Sequence, residues 1–175
     1  MKKDQTLNLP SGVEISFRVV RPEDAPALQR LHGRCGERTI YLRFFGSMEK
    51  LSDEKARYVA SIDGVDHFGL VALDPQDPNE IIAVARYARK PGDERAEYAA
   101  LVEDRWQGEA VGASLTHRLI EEARGNGVSS FYALVKGENK RMLNVFRHLD
   151  LPEQERMEDG EKLVEIGLLS RPRWP

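Results

Sequence analysis

The stretch Arg105-Trp106-Gln107-Gly108-Glu109-Ala110-Val111-Gly112-Ala113-Ser114-Leu115 decides how this chain is read. It lies between a strand-like run, 98–102, and a helix-like run, 111–124. A loop of small residues feeding a helix N-terminus gathers backbone N–H groups that have no intrahelical acceptor. The helix dipole adds partial positive charge at the same place. Such a loop suits a phosphate. Its spacing excludes two common phosphate binders. No Gly-Lys-Ser/Thr follows, as Walker A requires. Gly108 and Gly112 are wrongly spaced for the G-x-G-x-x-G dinucleotide fingerprint.

The elements around the loop alternate. A strand over 13–20 carries Val13, Ile15, Phe17 and Val19 on one face. Arg21-Pro22-Glu23-Asp24 opens a helix whose apolar face is Ala27, Leu28 and Leu31, with Gly33 ending it. Two further helical pieces are predicted over 37–45 and 52–61, the second capped by Ser52. Strands follow over 68–73, 81–89 and 96–102, separated by the Pro-rich turns 74–79 and 90–93. In the helix after the loop, Val111, Leu115, Leu119 and Ala123 form one buried stripe, and 125–127 stops it. A strand over 128–135 precedes a last helix over 139–149, capped by Asn139, with Met142, Val145, Phe146 and Leu149 as its core face. A charged turn over 153–162 and a strand over 163–169 complete the order, and the tail 171–175 is expected to fray.

Composition narrows the functional classes. The chain has 175 residues, 41% hydrophobic and 31% charged, which suits one soluble globular domain. No apolar run approaches the ~20 residues of a membrane span. Residues 1–6 lack the apolar core of a signal peptide. One cysteine, Cys35, excludes an internal disulfide and fits a reducing cytosol, so a cytoplasmic location is expected. A net charge of −3 argues against general nucleic-acid binding. His32, His67, His117 and His148 are scattered without metal-ligand spacing, so no metal is expected. Asp63, Asp66, Asp74 and Asp77 match no calcium loop.

Gln107-Gly108-Glu109-Ala110-Val111-Gly112 resembles the pyrophosphate loop of the GNAT N-acetyltransferases, Gln/Arg-x-x-Gly-x-Gly/Ala. The element order over about 13–169 is also that of the GNAT fold, so the resemblance covers nearly the whole chain. More narrowly, Tyr41-Leu42-Arg43-Phe44-Phe45, 81–87 and Glu94-Arg95-Ala96-Glu97-Tyr98-Ala99 look like the catalytic domain of bacterial Pat-type protein-lysine acetyltransferases. The resemblance implies an α/β fold, a mixed twisted sheet of six to seven strands flanked by helices. Its parallel strands 96–102 and 128–135 should splay apart to admit acetyl-CoA. It implies transfer of acetyl to a primary amine, a protein lysine such as those of acyl-CoA synthetases. Pat-type proteins often carry an extra regulatory domain. None is read in this chain, so control is expected from a separate chain or from acyl-CoA levels. The oligomeric state, monomer or dimer, stays open.

Roles carry over residue by residue. An amine must lose a proton to attack, which costs a free lysine ~4–5 kcal/mol at pH 7. A nearby carboxylate meets part of that as general base. Glu97 matches the family's base; read alone, it is a solvated strand carboxylate or a partner of Arg95 or Arg86. Leu101 and Val102 fall where the family uses main-chain groups, with a bulge expected there to pair with the pantetheine arm. Gln107, Gly108, Glu109, Ala110, Val111, Gly112 and Ala113 would hold pyrophosphate. Asn139, with Met142 and Phe146 of the same helix, would border the pantetheine. Phe146 stands where many members place a tyrosine acid, and phenylalanine cannot donate a proton. With no nucleophile for a covalent intermediate, direct attack in a ternary complex is expected.

Two loop positions depart from the pattern. Ala110 replaces a glycine and costs ~1 kcal/mol if its φ is positive. Glu109 sets a negative charge near a pyrophosphate, another ~1 kcal/mol at a wet cleft mouth. Together they would weaken CoA binding ~10- to 100-fold. That leaves two alternatives: a small-molecule amine acetyltransferase, and a non-catalytic acyl-CoA-sensing module. Arg34, Arg38 and Arg43 could line an acceptor groove or form a solvated face. Cys35 has no motif around it and reads as a passive thiol.

Overall fold

The computed structural model describes residues 5–44 and 50–169. Phe45 at the end of one expected helix, and the expected fraying of 171–175, lie outside the described residues. Among the described residues, eight strands form one mixed sheet, one more than the upper end of the sequence expectation. In chain order they are β1 (Gln5–Asn8), β2 (Glu14–Val19), β3 (His67–Leu73), β4 (Ile81–Ala88), β5 (Arg95–Val102), β6 (Ser130–Val135), β7 (Glu153–Glu158) and β8 (Glu161–Gly167). Across the sheet the order is β1-β2-β3-β4-β5-β6-β8-β7. Among the described residues, only β5 and β6 pair in parallel.

Among the described residues, five α-helices flank the sheet: α1 (Ala25–Arg34), α2 (Glu37–Phe44), α3 (Asp53–Ala60), α4 (Val111–Gly125) and α5 (Lys140–His148). The predicted stripe of α4 is realised: Val111, Leu115, Leu119 and Ala123 are all buried. They share a core with Phe131, Leu143 and Phe146 on one face of the sheet. A second core on the opposite face joins Leu28 and Leu31 of α1, Ala56 and Ala60 of α3, and Val71, Val84 and Leu101.

Local chemistry explains the helix ends. The Ser52 hydroxyl accepts from Lys55 N at 3.1 Å, capping α3. Before α1, Pro22–Asp24 forms a 3₁₀ turn, because the Asp24 carboxylate accepts from Arg21 N at 2.8 Å. Gly33 does not end α1; the helix runs through Arg34 and stops at extended Cys35. Glycine inside a helix costs only ~0.5–1 kcal/mol relative to alanine, so a glycine alone is no stop.

The charged segment 153–162 is not a turn. Most of it is β7, paired antiparallel to β8 from Glu153↔Ile166 to Glu158↔Glu161. Both Asp159 (φ 49) and Gly160 (φ 81) are left-handed, as a two-residue type I′ hairpin requires. β7 is an edge strand, wet on both faces, so it needs no apolar alternation. β1 likewise escaped notice because it is a short polar edge strand.

Candidate active site

The fold opens a cleft between β5 and β6. Their pairing runs only from Arg95↔Ser130 through Ala96↔Phe131 to Glu97↔Tyr132. Beyond that rung the strands diverge, as the splayed pair in the sequence reading requires. The cleft has a volume of about 1310 Å³ and is lined by β5, β6, α2, the loop 106–113 and α5.

Most of the predicted site residues meet in this cleft. Glu97, Leu101, Val102, Gln107, Gly108, Ala110, Val111, Gly112, Ala113, Asn139 and Met142 all line it. Two do not. Glu109 is off the lining, between Gly108 (φ 79) and Ala110 (φ 70), which turn the chain on either side of it. Phe146 is 2% exposed and packs edge-on against Tyr98, with ring centroids 5.5 Å apart. Its helix face points into the core, so it borders no cofactor space.

The loop leaves a run of backbone amides open at the start of α4. The first backbone bond into α4 runs from Ser114 N to Ala110 O at 3.0 Å. Among the described residues, the amides of 108–113 donate to no backbone acceptor. A Cβ at Gly112 would stand 3.3 Å from Val102 Cγ2, so glycine lets the helix start sit against β5. Gln107 ties the loop to three elements. It donates from Nε2 to Val102 O (3.0 Å) and to Thr39 Oγ1 (3.1 Å), and accepts from Arg141 Nη1. Arg38, Lys140 and Arg141 also line the cleft, together with the acids Asp104 and Glu138.

Ala110 takes φ 70 and ψ 10, the left-handed conformation that a Cβ disfavours. Replacing it with glycine should therefore stabilise the protein by ~1 kcal/mol, raising Tm by ~2–4 °C in a thermal melt. An unchanged or lowered Tm would mean that the loop holds no strain there.

The backbone of β5 differs from the expectation. Its register with β4 is unbroken from Ala88↔Glu97 to Ala83↔Val102, so no bulge interrupts it. Glu103 N donates to Ile82 O at 2.9 Å, which sets the phase of the ladder. By antiparallel alternation Leu101 turns its amide and carbonyl toward β4, whereas Ala100 and Val102 turn theirs toward the gap. The groups available to an added strand are those of Ala100 and Val102, not Leu101. The Val102 carbonyl is already taken by Gln107.

Glu97 stands on the last rung before the strands part, exposed and facing the cleft. Among the described residues it joins no ion pair: Arg95 goes instead to Glu165, at 3.1 Å. The guanidinium of Arg95 also lies 4.7 Å from the ring centre of Tyr132. Burial, then the Glu97 charge, pushes the Tyr132 phenol up, against the pull of Arg95. Next along β5, the Tyr98 hydroxyl meets Thr116 Oγ1 at 2.6 Å, which fastens the strand to α4. Burial pushes that phenol up to about 12. Asn139 caps α5, accepting from Met142 N at 3.2 Å, and lines the cleft as well.

Of the candidate groove arginines, Arg38 and Arg43 line the cleft. Arg34 is tied elsewhere, to Glu80 (2.8 Å), Glu103 (3.2 Å) and Ile81 O (2.7 Å). Burial, with Asp104 and Glu103 beside it, pushes the Cys35 thiol up to about 12, as an inert thiol requires. Tyr132, Thr39 and Arg141 are lining residues that the sequence reading missed. Strand alternation in β6 was the available signal for Tyr132; the other two depend on tertiary packing. Among the described residues, no group of His, Cys, Asp or Glu could hold a metal, and no helix is long and apolar enough to cross a membrane.

A splayed parallel pair, a cradle of free amides at a helix start and a carboxylate at the fork define an acyl-CoA N-acyltransferase class of site. The chain belongs to the acetyltransferase (GNAT) family, whose sequence model matches residues 27–150. It is 34% identical to the acetyltransferase Pat of Mycolicibacterium smegmatis over 79% of this chain, which spans 41% of that relative. An acetyltransferase of Pseudomonas aeruginosa is 25% identical over 90% of this chain and 85% of its own length. The GNAT domain of S. lividans PAT superposes with a TM-score of 0.85 and 27% identity, over 94% of this chain and 96% of that one.

Proposed function

We propose that this acetyltransferase moves acetyl from acetyl-CoA to a protein lysine, with Glu97 as general base, in a ternary complex. One observation carries the reading: Glu97 lines the cleft at the fork of β5 and β6, with no ion partner to occupy it among the described residues. A carboxylate there can take the proton from an incoming ammonium. The amides of 108–113 would hold pyrophosphate, and Ala100 N would pair with the pantetheine arm. The Pat-type resemblance of the motifs at 41–45, 81–87 and 94–99 is what favours a protein acceptor.

Calorimetric titration with acetyl-CoA, followed by mass spectrometry of an acyl-CoA synthetase incubated with both, tests this. Micromolar binding and acetyl-lysine on the synthetase are expected. Because Glu109 is off the cleft lining, Glu109→Arg should tighten acetyl-CoA binding by less than ~3-fold, an effect of screened surface charge. Wild-type binding too weak to measure, restored by Glu109→Arg, would instead favour the disabled sensing module.

A further inference from the structure

The sheet face that carries Glu97 continues across the gap. Glu97 pairs with Tyr132, and paired residues put their side chains on one face. Alternation along β6 then sets Leu134 on that face too, about 6.6 Å beyond Tyr132. Leu134 pairs with Leu163 of β8, and Leu163 with Arg156 of β7. Glu97, Tyr132, Leu134, Leu163 and Arg156 all line the cleft. The opposite face is closed: Phe131, Ala133 and Val135 are buried there with Leu143 and Phe146 of α5. An acceptor therefore reaches Glu97 from the face that Leu134 shares.

Leu134 is 47% exposed, whereas its partner Leu163 is 8% exposed. The two form an apolar step with a polar edge beyond it, where Arg156 meets Glu158 at 3.8 Å. Two residues past Leu134 the run ends. There the Lys136 ammonium lies 2.7 Å from Glu161 and 4.9 Å from the ring centre of Tyr41, which ties the end of β6 to α2. Between the fork at Tyr132 and that tie, Leu134 is the one apolar side chain that this face of β6 offers.

We propose that Leu134 is a specificity-determining residue, which receives an apolar side chain two positions from the acceptor lysine. The inference rests on the protein-lysine reading above, with the cofactor arm in the gap itself. An extended acceptor segment repeats every two residues, about 6.6 Å, as β6 does. With its lysine over Glu97 and Tyr132, the next side chain on the same side of the segment stands over Leu134. Side chains one position away point off the sheet. Facing layers sit ~10 Å apart, which suits a lysine reaching the carboxylate and a leucine meeting a leucine. Covering the exposed part of Leu134 favours an apolar side chain there over a polar one.

The rival explanation is that Leu134 is an ordinary exposed leucine, which protein surfaces tolerate singly. End-capped peptides with one lysine among serines separate the two, with one leucine placed one, two or four positions to either side. With acetyl-CoA saturating, leucine at one of the two-removed positions should raise kcat/KM by ~5- to 20-fold over the all-serine host. Leucine one or four positions away should change it by less than ~2-fold. In Leu134→Thr, which keeps a good strand former, the two-removed preference should fall below ~2-fold. No gain, a gain at other positions, or a preference kept in Leu134→Thr would overturn the inference and leave lysine transfer standing. The wild-type series decides alone if Leu134→Thr fails to fold. Wild-type inactivity toward every peptide would overturn the inference and the protein-lysine reading together.

Discussion

Glu97→Gln lowers the turnover of acetyl transfer by ~10²–10⁴-fold, while acetyl-CoA affinity stays within ~2-fold. The change is nearly isosteric and removes the capacity to accept a proton. Glu97 is exposed and joins no ion pair among the described residues, so fold stability should hold. The loss should shrink as pH rises, because the acceptor amine then supplies its own free base, ~10-fold more per pH unit below its pKa. Rates between pH 7 and 10, beside calorimetric acetyl-CoA binding, check both halves. Wild-type turnover in the variant would assign the proton to another group. Loss of acetyl-CoA binding would make Glu97 a structural residue.

Arg18→Met should destabilise the fold by ~3 kcal/mol at pH 7, the second large effect. Arg18 donates from both terminal nitrogens to the Asp24 carboxylate, at 2.8 and 2.8 Å, and Asp24 is 7% exposed. Burial pushes the Asp24 carboxyl up. The Arg18 hydrogen bonds, the Arg21 amide and both guanidinium charges outweigh it and hold the group below its usual value. A lowered folded-state pKa gives stability that is present above the unfolded value, ~3.9, and is lost as pH falls through the folded one. The gap between wild type and variant in urea melts should therefore be widest near neutrality and close below pH 4. A gap that stays constant with pH would assign the effect to lost packing of the Arg18 stem.

The sequence made the central elements readable because they obey simple periods. The apolar stripe of α4 and the buried runs of β3 and β4 needed no tertiary knowledge. Alternation along β5 put Glu97 on one face and Ala96 and Tyr98 on the other, as the structure has them. β7 was missed because Glu-Gln-Glu-Arg-Met-Glu carries no period to detect, although Asp159-Gly160 was a hairpin signal in plain view. Leu101 and Val102 could not be told apart as main-chain donors. Which one faces the gap follows from ladder phase with β4, fixed by their partners Val84 and Ala83, far off in the sequence. Counting along the loop put the Glu109 side chain in the cleft, whereas Glu109 sits off the lining between two left-handed residues. Arg86, read from the sequence as a possible ion partner of Glu97, lies buried against the ring of Tyr58 instead, a contact that depends on how α3 packs on the sheet.

The short contact between β5 and β6 has a mechanical meaning. The sheet is two ribbons, β1 to β5 and β6-β8-β7, sewn along a seam of three rungs. The Arg95–Glu165 pair and the bond from Ser129 N to Glu94 O (2.8 Å) reinforce the seam at its closed end only. A tear would start at the open end and travel toward Glu97. Any molecule that bonds the free backbone of β5 while touching β6 therefore acts as a stitch, and tension on the sheet would be felt first where the chemistry sits.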